Sequence, residues 1–222
     1  MATIYGVPVG AGVCSAFVAK GESEALAGLL DVWRYIGNTQ ARTVLLALAG
    51  WVDTRTSRLS SSQMQAMLST EFGGMNAVLT DIYQQTGDSR WLTVAQRFDH
   101  AAVFNPLAAN QDQLNGLHAN TQIPKVIGFA RIGELDGEPA WVDAARFFWE
   151  TVASRRSIAF GGNSVREHFN PVDDFGPMVA SREGPETCNS YNLLRLTMLL
   201  HRIAPQARDA DTYERVLYNH IL

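Results

Sequence analysis

Four short segments of this sequence gather side chains able to do chemistry. The densest is Gly161-Gly162-Asn163-Ser164-Val165-Arg166-Glu167-His168-Phe169, which follows an apolar helical stretch. Glu167 is a candidate general acid or base, the work a carboxyl does at the mouth of an enclosed pocket. The glycine pair would let backbone approach a ligand closely. The plain alternative is an exposed loop glutamate with a histidine beside it. Further on, Glu186 and Cys188 stand two apart at the start of a helix. A turn or frayed helix start brings residues i and i+2 together, and a carboxylate with a thiolate suits zinc. Two ligands are half a site. Alternatively, Glu186 favours the helix dipole and Cys188 packs as a small hydrophobe. The other cysteine, Cys14, has no companion donor near it.

The third segment, Gly116 to Pro124, offers His118, Asn120 and Gln122. Here Asn120 or Thr121 is expected to cap a helix and Pro124 to sit in its first turn. The fourth, Glu71-Phe72-Gly73-Gly74-Met75-Asn76, places Glu71 and Asn76 either toward a cavity or at a cap. With Tyr191, this mixture of carboxylate, amide, imidazole and aromatic groups suits a sugar or another hydroxyl-rich ligand.

The elements that must position these groups follow from an internal repeat. Gly37, Gly87 and Gly137 lie 50 residues apart, and Val32, Ile82 and Ile132 precede them in register. Leu45, Ala95 and Ala145 follow them, as do Leu48, Phe98 and Phe148, and Trp91 and Trp141 are also 50 apart. A fixed period of this size signals stacked supersecondary units. Each unit reads as two helices around a glycine stop: Leu26 to Val52, Met75 to Phe98 and Ile123 to Val152, with a fourth from Cys188 to Leu222 broken at Ala204-Pro205. Asp88 is the expected cap of the second unit's return helix. Polar connections are expected over 54–63, 104–121 and 157–185, and long loops of this kind are commonly functional. No period-two alternation competes, so the chain is expected to be all α. Hairpins of this length close naturally into an (α/α)6 toroid, of which four of six pairs are present; an open superhelix of the HEAT kind is the other architecture, with units usually nearer about 40 to 47 residues. Residues 1–25 stand outside the pattern, and 26–222 form the partial helical domain.

Composition narrows the function classes. The 222 residues are 46% hydrophobic and 18% charged, which excludes a disordered chain. The net charge of −4, with basic residues scattered, gives no nucleic-acid footprint. Apolar runs such as Val44 to Ala49 are too short to span a membrane. The first residues carry no positive charge before Lys20 and no apolar core, so they do not read as a secretory signal.

Taken in order, Glu71-Phe-Gly-Gly-Met-Asn, Gly116-Leu-His-Ala-Asn-Thr-Gln-Ile-Pro-Lys, Gly161-Gly-Asn-Ser-x-x-Glu-x-Phe and Glu186-Thr-Cys-Asn-Ser-Tyr-Asn resemble the β-L-arabinofuranosidase family, glycoside hydrolase family 127 with its relative 146. The resemblance runs from about Leu26 to the last residue. It implies an (α/α)6 catalytic barrel, followed by β-sandwich domains, that releases β-linked L-arabinofuranose from plant glycans with retention. It implies that Glu167 is the acid/base, that Glu186 and Cys188 are zinc ligands, and that His118 binds substrate; Asn120, Gln122, Glu71 and Tyr191 are further substrate-binding candidates by residue type. It also implies a zinc-bound cysteine nucleophile in a later cysteine pair. No cysteine follows Cys188, and the turn at 133–139 lacks the family's usual aromatic-Thr-Gly. The chain is therefore expected to be a fragment or degenerate relative, inactive alone. Two rival readings are a helical-repeat binding module and a metal-free carbohydrate enzyme pairing Glu167 with Asp173, Asp174 or Glu186.

Overall fold

The structure is a computed structural model that describes residues 3–4, 7–8, 13–70 and 73–222, with side chains from residue 23 onward. Glu71 therefore lies outside the described residues, as does the side chain of Cys14. The chain divides into two compact units, residues 1–101 and 102–222.

In the first unit, a two-residue ladder of β1 (Thr3–Ile4) and β2 (Val7–Pro8) precedes the helices. Helix α1 (Val13–Ile36) packs on α2 (Thr39–Thr56), and α4 (Met75–Thr86) on α5 (Arg90–Gln96), with α3 (Ser61–Leu68) between the pairs. Leu26, Leu45, Ala49, Leu79 and Ile82 are fully buried between them. The expected loop at 54–63 is mostly helix: Ser60 and Gln63 form a reciprocal capping box that starts α3. Asp88 does not take the cap position itself, but its carboxylate accepts from the Arg90 N–H at 3.0 Å.

The second unit contains α6 (Ala101–Ala108), α7 (Ala119–Asp136), α8 (Pro139–Arg155), the short α9 (Gly176–Ala180), α10 (Thr187–Ile203) and α11 (Ala207–Val216), then a π-helical segment, Leu217–Ile221. Helix α7 packs on α8 and α10, and α10 on α11. Phe129, Ile132, Phe148, Leu193 and Leu200 are fully buried there. The buried indole N–H of Trp149 donates to Thr197 Oγ1 at 2.7 Å, and that hydroxyl donates to the Leu193 carbonyl, so both buried donors are satisfied.

The 50-residue period survives down to the dihedral angle. Gly37, Gly87 and Gly137 have φ of +73°, +72° and +79°, and each donates its N–H back to the carbonyl four residues earlier. A left-handed residue after the last helical turn needs glycine, which is why the repeat is most visible there. Val32 departs from it. Whereas Ile82 and Ile132 are fully buried, Val32 is partly exposed.

Candidate functional site

His118, not Asn120 or Thr121, is the N-cap of α7. Its Nδ1 accepts from the Thr121 N–H at 3.2 Å, doing what a serine or aspartate oxygen does at this position. An accepting Nδ1 puts the proton of the neutral ring on Nε2. That Nε2 lies 3.5 Å from Glu167 Oε2. Because α7 begins at Ala119, Pro124 lies inside the helix in its second turn and not in the first turn as expected.

Glu167 reaches this position through a two-residue turn. Val165 and His168 exchange backbone hydrogen bonds, each at 3.0 Å, around Arg166 and Glu167, whose φ values are +48° and +65°. Positive φ at both central positions is the signature of a type I′ turn, which normally asks for Asn-Gly. The hairpin then pairs with the segment before α7: Gly116 N–H bonds the Phe169 carbonyl, Phe169 N–H the Leu117 carbonyl and Ala119 N–H the Glu167 carbonyl. The rings of His118 and His168 meet edge to face at 5.3 Å. Two segments about 50 residues apart thus form one surface, with the Glu167 carboxylate half-exposed on it.

The Glu186–Cys188 pair begins α10, where Glu186 occupies the N-cap without capping through its side chain. Instead its Oε2 lies 3.2 Å from Cys188 Sγ and accepts from the thiol. Burial first, then this carboxylate, holds the thiol above its ordinary range. A cation reverses that electrostatic sign. Tetrahedral zinc, with Zn–S about 2.3 Å and Zn–O about 2.0–2.2 Å, sets its sulfur and oxygen ligands about 3.5 Å apart, so the donor pair fits one ion. Among the described residues no cluster of three or more such donors converges.

The two parts are tied together. Ser164, next to the Glu167 turn, accepts from Asn189 Nδ2 at 2.5 Å, and both residues are fully buried. Asn120 Oδ1 accepts from Asn192 Nδ2 at 2.9 Å, joining α7 to α10. Gln122 turns back to the His118 carbonyl at 3.4 Å, and its Oε1 is buried with no partner. Tyr191 stands exposed on the first turns of α10. Asp173 is engaged elsewhere, accepting from Arg155 at 2.8 Å. Lys125 is fully buried in α7, and burial lowers it to about 7.

The family model described as "Beta-L-arabinofuranosidase, GH127 catalytic domain" matches residues 23–222. A solved GH127 beta-arabinofuranosidase is similar, with a TM-score of 0.73 at 17% identity over 89% of this chain and 32% of that one. A GH127 beta-L-arabinofuranosidase from Geobacillus stearothermophilus T6 gives 0.72 at 18% identity, over 89% of this chain and 35% of that one. A structure described as a glycoside hydrolase gives 0.67 at 15% identity, over 95% and 41%. No curated protein sequence matches. The chain spans about a third of the length of the first two structures. Their likeness shows the fold, that of (α/α)6-barrel enzymes. With nine-tenths of its residues matched by the family model, the chain belongs to the β-L-arabinofuranosidase GH127 catalytic-domain family.

Proposed function

We propose that this chain carries the acid/base and metal-binding half of a retaining, zinc-dependent β-L-arabinofuranosidase. The observation that supports it most is the meeting of Glu167 and His118 on a hairpin tied to the helix start that bears Glu186 and Cys188. In this reading Glu167 protonates the departing glycosidic oxygen and then accepts a proton from the water that completes hydrolysis. His118, fixed as a helix cap, directs its Nε2–H at the Glu167 carboxylate and limits its rotamers. Asn120, held by Asn192, offers its remaining amide hydrogens to sugar hydroxyls, and Tyr191 offers an exposed ring for the furanose to stack on.

Glu186 and Cys188 would hold zinc, which when bound supplies a lowered thiol pKa and so a thiolate able to attack an anomeric carbon. The nucleophilic cysteine expected from the family is not among these residues, since none follows Cys188. The 222 residues alone therefore bind a β-L-arabinofuranoside without cleaving it. The metal-free reading that pairs Glu167 with Asp173 is disfavoured by the Asp173–Arg155 ion pair.

Titration of the chain with methyl β-L-arabinofuranoside, followed by NMR, tests this directly. Shifts that disappear in Glu167→Gln and His118→Ala are expected. A spectrum unmoved by the sugar would remove the substrate assignment. No hydrolysis of an aryl β-L-arabinofuranoside by these residues is expected, and any turnover that persisted with both thiols alkylated would remove the cysteine chemistry.

A further inference from the structure

One imidazole grips the turn bearing Glu186 and Cys188 from both sides. His220 lies in the π-helical segment Leu217–Ile221, a geometry that is rare and concentrates at functional sites. Its Nε2 is 3.3 Å from the carbonyl oxygen of Pro185, the residue before Glu186. Its Nδ1 is 2.7 Å from Oγ of Ser190, two residues after Cys188. A carbonyl only accepts, so Nε2 carries the proton and Nδ1 accepts from the serine hydroxyl. Burial holds the ring below its ordinary range, which agrees with this neutral, single-proton arrangement. Ser190 is fully buried, and the Phe160 ring lies 5.0 Å from the imidazole. Pro185 also sits so close to Gly162 that a Cβ there would come within 2.4 Å of its ring.

We propose that His220 is a positioning residue for the Glu186–Cys188 pair, bracketing the turn so that carboxylate and sulfur converge on one divalent cation. The proposal rests on reading these two residues as zinc ligands. The imidazole touches neither ligand and acts through the backbone of Pro185 and the hydroxyl of Ser190. Without the clamp the ion itself must order the turn, and that entropy cost is felt as weaker binding. Partners behind metal ligands typically change affinity 10–100-fold.

The test is a titration of the 222-residue chain with Co²⁺, following the thiolate-to-cobalt absorption band. Cys188→Ser identifies the band by abolishing it. His220→Ala is expected to weaken cobalt binding by about tenfold or more with helix content unchanged by circular dichroism. His220→Gln, whose amide N–H can still reach the Pro185 carbonyl, restores part of the affinity, and Ser190→Ala loses part. Unchanged cobalt affinity in His220→Ala overturns the proposal. If that variant does not fold, unchanged affinity in both His220→Gln and Ser190→Ala overturns it instead. An unaltered chain that shows no thiolate band overturns the zinc reading itself and this proposal with it, a result distinct from clamp-independent binding.

Discussion

Arg166 and Glu167 each occupy a left-handed backbone conformation that costs an L-residue about 1–2 kcal/mol. A position that only turns the chain would carry Asn-Gly, so the glutamate is kept there against local preference. Glu167→Asn is therefore expected to raise stability by about 0.5–1 kcal/mol while losing the sugar response, because asparagine tolerates this region. Thermal unfolding checks it, and an unstabilised variant would discard the strain argument. Gly161 is the opposite case: at φ +95°, a Cβ would lie 2.2 Å from Val216 Cγ2. Gly161→Ala should cost about 1–3 kcal/mol in denaturant unfolding. Lys125 supplies a pH signature. Its folded value of about 7 lies below the unfolded 10.5, so between these values the unfolded chain holds a proton that the folded chain has released. This group makes stability rise with pH across that window, and Lys125→Met should flatten the rise between pH 7 and 9. The residue types at 118, 167, 186 and 188 were legible in the sequence. The positive φ at Glu167 was not, since its turn is held by hydrogen bonds to distant segments, and the capping role of His118 was not, because imidazole is outside the usual set of cap residues.

At the scale of elements, the site depends on how loops are anchored to helix ends. Arg156, just after α8, is buried and makes a bidentate pair with Asp112, Nη2 donating to Oδ1 at 2.7 Å and Nε to Oδ2 at 3.1 Å, and it also donates to the Asn170 carbonyl. It thereby ties the segment leading to His118 to the one leaving Phe169. Removing one member of a buried pair strands the other charge, so Asp112→Ala should cost about 3–5 kcal/mol by urea unfolding. Adding Arg156→Met to that variant should cost less than the sum of the single changes, because no orphan charge remains. The glycine stops of three hairpins were readable because only glycine serves there cheaply. Helices α3, α6 and α9 were not, because at five to eight residues they are too short for a helical period to stand out in the sequence.

For the whole molecule, ligand binding and stability are linked. If Glu186 and Cys188 hold zinc, the ion stabilises the folded chain by about 2.7 kcal/mol at a hundredfold excess over its dissociation constant. The melting temperature should rise with zinc and not do so in Cys188→Ser; a rise that persists in that variant would place the ion elsewhere. The sequence by itself determined the all-α class, the 50-residue hairpin period and the family, because apolar spacing, glycine stops and four ordered motifs are local properties of the chain. Only the tertiary structure decided which motif residues meet. Glu167 faces His118 because two strand-like segments pair across some 50 residues, and His220 reaches the Glu186–Cys188 turn because α11 folds back along α10. Such contacts depend on packing between elements, and the spacing of residues along the chain does not encode them.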